Sequence, residues 1–315
     1  MESLRFGLRK KRVVEMWTRT RKLALSEGMI AGVFFGTASI LIRFTQDLST
    51  FSIAFWRLVI ACLALLMISL LLHKSFALRV VKKNFIELFA LSSLLGLHFI
   101  FFVFAVKDTT ILNATVLVNT TPIFSVFISY FLFKLGASRG AVAGLAISFI
   151  GVSIIALAET SFRNVESVGV SSSLKGDFEA VMTALVEAFY LNYGRRIRRQ
   201  MNILSIMMPI YALTAIIVGA SSLTTGSIAL AFPTEIGLLL PLLGLGLIPT
   251  AIAHTLYFSS LSNLKSFETA TMALLEPIGA TILGIVIFNE VPAPIFVSGA
   301  AMILIGIVFI GKSKS

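Results

Sequence analysis

The sequence predicts an all-α membrane protein with ten transmembrane helices, built from two inverted repeats of five helices each. Three observations carry this prediction: a highly apolar composition, the spacing of the apolar runs, and the distribution of basic residues between them. Of the 315 residues, 57% are hydrophobic and only 13% are charged, whereas soluble domains carry about 25% charged residues. This composition excludes an ordinary soluble enzyme and a disordered chain, and the continuously apolar runs exclude a β-barrel, whose strands alternate apolar and polar residues.

Each predicted helix follows from an apolar run of the length that a bilayer demands, about 20 residues. Ten such runs lie between clusters of charged or polar residues. Their approximate limits, in chain order, are Glu27–Ile42, Phe51–Leu72, Phe85–Val106, Asn113–Phe133, Gly140–Ala158, Asp177–Tyr193, Ile203–Ser222, Ile236–Ser259, Phe267–Phe288 and Pro294–Ile310.

The 26 Lys and Arg residues test the number of helices independently. With ten helices and a cytosolic N-terminus, 21 of them fall in inner segments, one (Arg57) falls within the second helix, and four fall outside. The four outer residues are Arg43, Lys107, Arg163 and Lys175. Such an excess of inner positive charge is what the positive-inside rule requires. The sequence therefore predicts a multi-pass protein of the cell membrane with both termini in the cytosol, and the net charge of +11 reflects topology rather than binding to nucleic acid.

The two halves of the chain are related by a shift of 155 residues, which aligns their fourth and fifth helices without a gap. The matched pairs are Pro122 with Pro277, Ile123 with Ile278, Phe133 with Phe288, Gly144 with Gly299, and Gly151 with Gly306. Because five helices is an odd number, the two halves must have opposite orientations in the membrane. The predicted organisation is a basic cytosolic tail (1–25), a first repeat (26–158), an outer linker (159–175) and a second repeat (176–315). Inverted repeats are typical of secondary transporters, which bind their substrate where the repeats meet, near the bilayer midplane.

Several segments carry a family resemblance between about residues 28 and 311. They are LLEPIGATILGIVIFNE at Leu274–Glu290, AFWRLVIA around Arg57, LKGD at Leu174–Asp177, and the late Gly299 and Gly306. In these segments the chain resembles the drug/metabolite transporter superfamily, specifically its EamA-like ten-helix family. It departs from the pattern at Lys134 and Leu135, where a glutamate often ends the fourth helix. The resemblance implies a ten-helix bundle that moves small metabolites or amino acids, often outward.

Ionisable residues at membrane depth are the first candidates for a binding site, because each costs about 2.5–3.5 kcal/mol to insert without partners or water. Glu187 and Glu276 lie about 14 Å from either end of their predicted helices, too deep for their side chains to reach the surface. We predict that both bind substrate in a central cavity or carry a coupling proton; the alternative for each is a structural hydrogen-bond acceptor. His98 and His254 fall within one residue of repeat equivalence and are further cavity candidates, although a histidine can also simply bond a neighbouring helix.

Neutral polar residues complete the predicted site. Tyr190 lies one helical turn from Glu187, and Tyr257 and Asn119 also combine a polar group with a position inside a span. We predict all three as substrate-binding partners of the carboxyl groups. For Asn119 and its threonine neighbours, the simpler alternative is that they bond carbonyl groups freed by Pro122.

Two prolines and one arginine have predicted local roles. Pro122 and Pro277 each remove a backbone donor and loosen the preceding turn, so we expect a helix break at both. Arg57 lies about 8 Å from the outer end of its helix, so its long side chain is predicted to reach the outer surface or to form an ion pair there. As a substrate ligand it would suit a carboxylate.

Three glycines recur every fourth residue in the first helix: Gly28, Gly32 and Gly36. Small residues at this spacing form a flat face on which another helix packs closely. Static packing is the default interpretation of this face, and a surface that slides during transport is the alternative.

These observations predict a secondary transporter that exports a small organic metabolite, such as an amino acid, by alternating access through a central cavity. The sequence contains no HExxH, GxSxG or Walker A motif, so we expect no enzymatic activity, no catalytic residues, no metal and no cofactor. The expected partners are a small-molecule substrate and the lipid bilayer, without nucleic acid, and the oligomeric state is left open. One alternative is a membrane-embedded enzyme or lipid-handling protein, which would need paired groups near one membrane surface. The other is a passive channel or a structural membrane protein.

Overall fold

A computed structural model describes residues 19–72, 78–162, 173–223, 230, 232–288, 292 and 294–313. Most of these residues are helical, and none of them lies in a β-strand. The predicted tail up to residue 18, residues 163–172 of the predicted linker, and Asn289–Glu290 of the family motif lie outside the described residues.

Ten long helices make up the described part of the chain. They are α1 Arg21–Arg43, α2 Thr50–Leu71, α3 Phe85–Asp108, α4 Asn113–Phe131, α5 Arg139–Phe162, α6 Leu174–Arg198, α7 Ile203–Leu223, α8 Ile236–Ser260, α9 Ser266–Ile287 and α10 Pro294–Lys312. By length and composition, nine of them could cross a membrane; α6 is long enough but too polar to qualify by hydropathy. Each predicted span thus corresponds to a helix, which confirms the predicted fold class.

Hydroxyl side chains set the beginnings of several helices. The Thr20 hydroxyl accepts a hydrogen bond from the Leu23 amide, so α1 begins at Arg21, earlier than the predicted Glu27. Ser49 and Ser173 cap α2 and α6 in the same way. Such caps satisfy amide groups that have no partner within the helix, and each contributes about 1 kcal/mol.

The fourth helix of each repeat is interrupted at the same repeat position. Helix α4 is interrupted between Val118 and Thr121, and α9 changes from an α-helix to a 3₁₀ turn at Ala273–Leu275. Each irregular turn ends two residues before a proline of the matched pair Pro122 and Pro277, where the missing N–H group removes a backbone hydrogen bond. Both half-helices that follow therefore begin near the middle of the bundle.

Repeat-equivalent helices run in opposite directions. A Cβ atom at Gly144 of α5 would lie 2.5 Å from the carbonyl oxygen of Gly306 of α10, and one at Gly151 would lie 2.6 Å from that of Gly299. As the residue number rises along α5, that of its neighbour on α10 falls, so the two helices are antiparallel. Because α5 and α10 occupy the same place in the two repeats, this packing shows directly that the repeats are inverted.

The packing between the other helices follows the same pseudo-twofold symmetry. Helix α3 packs against α6 as α8 packs against α1, and α3 packs against α7 as α8 packs against α2. Helix α4 likewise contacts α6 as α9 contacts α1. Large exposed apolar side chains, including those of Leu70, Leu71 and Ile216, cover the outside of this bundle, as expected for a surface that contacts lipid. The middle of the bundle is thus built from elements of both repeats.

Candidate functional site

A small cavity lies in the middle of the bundle, where the interrupted helices α4 and α9 meet the others. Its volume is about 40 Å³ for the centres of water molecules, which leaves room for about three waters. The lining residues come from both repeats: Phe35, Ala38, Arg57, His98, Phe99, Phe102, Val118, Asn119, Thr121, Pro122, Glu187, His254, Ala273 and Glu276. All four ionisable residues predicted at membrane depth therefore line one cavity.

The two carboxyl groups of the cavity are both buried. Glu187 on α6 accepts a hydrogen bond of 3.3 Å from the Thr121 hydroxyl, and its Oε2 lies 3.7 Å from His98 Nδ1. Glu276 begins the second segment of α9, at the place that Thr121 occupies in α4. The inverted repeats thus bring a carboxyl group and the hydroxyl group of its repeat equivalent to the same cavity.

The two histidines lie against each other and against an aromatic wall. Their ring centroids are 5.7 Å apart, and the His254 ring lies 4.8 Å from that of Phe35 and 4.9 Å from that of Phe99. Neither Nδ1 atom has a hydrogen-bond partner among the described residues. The Nδ1 atom of His254 is therefore available to a polar group in the cavity, whereas that of His98 lies beside the Glu187 carboxyl group.

Asn119 and the two tyrosines differ in position. Asn119 lies at the break in α4 and lines the cavity, and its Nδ2 has no partner in the described part of the chain. Tyr257 packs edge-on against Phe35, with 5.1 Å between ring centroids, and its side chain interacts with the Glu187 carboxyl group. Tyr190 is further away, packed on Phe258 with its hydroxyl 3.9 Å from the Met207 sulfur. The structure thus brings Asn119 to the cavity and places both tyrosines outside its lining.

Arg57 does not reach the outer surface. Its side chain is only 1% exposed and lines the cavity, with the guanidinium carbon 4.0 Å from the centroid of the Phe99 ring. Nε donates a hydrogen bond of 2.9 Å to the Thr250 hydroxyl. No carboxylate of the described residues lies within ion-pair distance of it. This position differs from the outer ion pair that the sequence predicts, because α8 offers Arg57 a hydroxyl partner inside the bundle.

Sequence reasoning missed the aromatic wall and the partner of Arg57. Phe99 is the repeat equivalent of His254, so the 155-residue shift contained a signal for it. Thr250 follows Pro249 in a π-helical segment, Gly246–His254, in the middle of α8. Such segments are frequent at functional sites, but a hydropathy pattern does not predict where they occur.

An ion pair joins the two repeats at the end of the bundle that carries Arg195 and Arg198, termed here the arginine-rich face. Arg21 of α1 donates two hydrogen bonds to Glu268 of α9, from Nη2 to Oε1 at 2.7 Å and from Nη1 to Oε2 at 3.1 Å. Glu268 is 1% exposed and also accepts a hydrogen bond from the Lys265 amide. This bidentate pair fastens the start of α9 to the start of α1.

A corresponding link joins the repeats at the opposite face. Asn113, the repeat equivalent of Glu268, donates a hydrogen bond of 3.1 Å to Asp177 at the start of α6. The Thr109 hydroxyl donates a second one, at 2.8 Å, to the same carboxylate. Each end of the bundle thus has a polar latch between the repeats, formed by an ion pair at the arginine-rich face and by hydrogen bonds to a carboxylate at the other.

Comparison with known proteins agrees with this architecture. The model of the EamA-like transporter family matches residues 23–157 and 174–312. A protein from Clostridium kluyveri, described as an uncharacterized transporter, is 27% identical over 213 residues, which make up 66% of this chain and 63% of that protein. The match therefore spans slightly less than two thirds of this relative. A crystal structure described simply as that of a protein is similar in fold, with a TM-score of 0.75, 17% identity, and coverage of 92% of this chain and 96% of the other.

The family match covers both repeats and nearly all of the described helices. It confirms the resemblance that the motif at Leu274–Glu290 carries, and together with the apolar helices it identifies an integral, multi-pass membrane protein. The chain therefore belongs to the EamA-like transporter family.

Proposed function

We propose that this transporter exports a small organic metabolite, such as an amino acid, by alternating access through the central cavity. The observation that carries the proposal is the gathering of Glu187, Glu276, His98 and His254, from helices of both repeats, around one cavity. Each of these residues is costly to place at membrane depth, and inverted-repeat transporters bind their substrates at this kind of interface. An ammonium group is the natural ligand for the two carboxyl groups, and Asn119 supplies a neutral donor beside them.

Alternating access is supported by the pseudo-twofold packing and by the latches at the two ends. The cavity has room for about three waters, so a metabolite enters only if the repeats move apart at one end. Opening of the Arg21–Glu268 latch would expose the cavity to the arginine-rich face, and opening of the Asn113–Asp177 latch would expose it to the other. Transport would be driven by solute or proton gradients, with Glu276 or Glu187 as the proton carrier.

The depth of the polar groups favours transport over the chemistry of a membrane-embedded enzyme or a lipid-handling protein. Chemistry on lipid headgroups requires reactive groups near one membrane surface. In this protein the gathered ionisable groups lie where the interrupted helices meet, near the middle of their spans. A change in the lipids of proteoliposomes, followed by mass spectrometry, would support the enzyme instead.

We expect Glu276→Gln to reduce transport about tenfold, the loss associated with about 1.4 kcal/mol. The amide keeps the size of the side chain but removes its negative charge and its ability to carry a proton. The measurement is counterflow of labelled amino acids into proteoliposomes loaded with the twenty common amino acids, at several pH values. Glu235→Gln makes the same change at an exposed residue outside the cavity and should leave counterflow unchanged. If Glu276→Gln retains the rate, affinity and pH dependence of the wild type, Glu276 has no role in transport.

We also propose that both termini and the arginine-rich face lie in the cytosol of the cell, as the positive-inside rule requires. With Cys62 replaced by alanine, a cysteine at the exposed Gln200 of the arginine-rich face should react with an impermeant thiol reagent only after cells are permeabilised. A cysteine at the exposed Asp47 of the opposite face should react in intact cells. The reverse labelling pattern would invert the proposed topology.

A further inference from the structure

We infer that Arg57 binds a carboxylate group of the substrate, so that the transported molecule carries a carboxylate as well as an ammonium group. The inference rests on the proposed function and makes it more specific. A buried arginine in a membrane protein normally pairs with a carboxylate or with several carbonyl groups, because an unpaired charge is costly there. Among the described residues Arg57 has no acidic partner; it donates to the Thr250 hydroxyl and lies over the Phe99 ring.

The hydrogen bonds of Arg57 leave one terminal nitrogen of its guanidinium group without a partner in the described part of the chain. Nε donates to Thr250, but Nη1 has no partner among the described residues, although it is buried. Arg198, another buried arginine, differs in this respect, because its Nη1 and Nη2 donate to Met201 and Ser259. Arg57 therefore presents an unused donor beside a cavity, whereas Arg198 uses its terminal nitrogens for structural contacts.

The neighbours of Arg57 hold it in this orientation. The Thr250 hydroxyl that accepts from Nε is itself bonded to the Leu245 carbonyl at 2.7 Å, and the Thr250 carbonyl accepts from the Tyr211 hydroxyl at 2.8 Å. The Phe99 ring lies against the guanidinium plane at 4.0 Å and contributes a cation–π attraction. A guanidinium held by Nε and by its face has its Nη1 donor left for a ligand.

The charge pattern of the cavity identifies the class of this ligand. A guanidinium fork matches a carboxylate or a phosphate in two parallel hydrogen bonds. Glu187 and Glu276 line the same cavity and would repel a doubly charged phosphate. A singly charged carboxylate would pair with the positive charge of Arg57, and an ammonium group of the same molecule would pair with the two glutamates. The arrangement favours an amphoteric substrate over a simple amine or a phosphorylated metabolite.

The first test uses carboxylates small enough for the cavity. The melting temperature of the purified transporter is measured in increasing sodium formate or sodium acetate, against the same concentrations of sodium chloride. We expect a saturable rise with the carboxylates, since a ligand that binds the folded state stabilises it. Arg57→Gln should abolish the rise, Arg57→Lys should retain part of it, and Arg196→Gln, at an exposed arginine outside the cavity, should retain all of it. A saturable rise of equal size in Arg57→Gln, or no rise in the wild type, would overturn the inference.

The second test needs no variant to fold, because it changes the solute. Wild-type counterflow of each amino acid is compared with that of its carboxamide, which keeps the ammonium group and nearly the same shape. We expect the carboxamides to be transported at least about tenfold more slowly, because they leave the donor of Arg57 without a charged partner. Equal transport of the two series would refute a carboxylate site while leaving the transporter proposal intact. If no amino acid exchanges at all, the proposed substrate class is wrong, and the formate titration alone decides whether Arg57 binds a carboxylate.

Discussion

Replacement of Gly32 by alanine is expected to destabilise the folded bundle by about 3 kcal/mol, roughly a hundredfold in the folding equilibrium. A Cβ atom at this position would overlap the carbonyl oxygen of Met272 on α9, and backbone atoms cannot rotate out of the way. Gly279 faces the carbonyl oxygen of Val33 in the same manner, so both helices contribute to the close crossing. The measurement is the midpoint of thermal unfolding of the purified protein in detergent. Size-exclusion chromatography gives the fraction of folded protein that remains after heating to each temperature.

A matched control exists in α8. Gly237 is also helical, but a Cβ atom there would meet nothing within 4 Å. Because alanine favours helix formation over glycine by about 1 kcal/mol, Gly237→Ala should leave the unfolding midpoint unchanged or raise it slightly. If Gly32→Ala unfolds at the same temperature as Gly237→Ala, then α1 and α9 do not cross as closely as the structure has them.

This crossing also bears on the site. The Cβ atom of Leu275, in the 3₁₀ turn that precedes Glu276, would lie 3.1 Å from a Cβ atom at Gly32. The glycine face of α1 therefore supports the irregular turn from which the cavity carboxyl group projects. We expect any Gly32→Ala protein that folds to show weakened counterflow as well as lower stability.

The fold could be predicted from the sequence because a bilayer constrains it so strongly. Ten apolar runs predict ten helices, and the alternation of basic segments supports the same number; the sixth, α6, is the one whose hydropathy is weakest in the structure. The structure explains why α6 is polar: it is packed against α3 and α4 and buries Glu179, Thr183 and Asn192 inside the bundle. A helix that faces protein rather than lipid needs no continuous apolar surface.

The site could be predicted less completely, because the sequence gives the depth of a residue but not its direction. The four residues selected by their depth in the predicted helices all line one cavity: Glu187, Glu276, His98 and His254. It was misleading for Arg57, which lies only about two turns from the start of α2 yet turns inward. Its partner, Thr250, is placed by a π-helical segment, in which an extra residue in the turn changes which side chains face inward.

Neutralising the latch at the arginine-rich face is expected to open that end of the transporter. In Glu268→Gln the amide oxygen can still accept from the Lys265 amide, but the bidentate ion pair with Arg21 loses its charge. Charge-assisted hydrogen bonds to a buried carboxylate are worth about 2 kcal/mol, which corresponds to a shift of roughly thirtyfold toward the open state. The measurement uses a cysteine in place of Ala273, which lines the cavity, in a chain with Cys62 replaced by alanine. Its reaction with an impermeant thiol reagent added at the arginine-rich face should become correspondingly faster.

The repeat symmetry supplies the matched variant for this experiment. Asp177→Asn weakens the equivalent latch at the opposite face, where Asn113 and Thr109 donate to the carboxylate. It should therefore speed labelling from that face, and by less, because no ion pair is lost. Lys175→Gln removes an ion pair with Asp108 whose lysine is 71% exposed, and such surface pairs contribute little, so labelling should not change. If Glu268→Gln leaves labelling unchanged, or speeds it equally from both faces, the Arg21–Glu268 pair does not hold one end closed. A larger, face-specific increase in Glu268→Gln than in Asp177→Asn would show that the equivalent positions 113 and 268 carry latches of unequal strength.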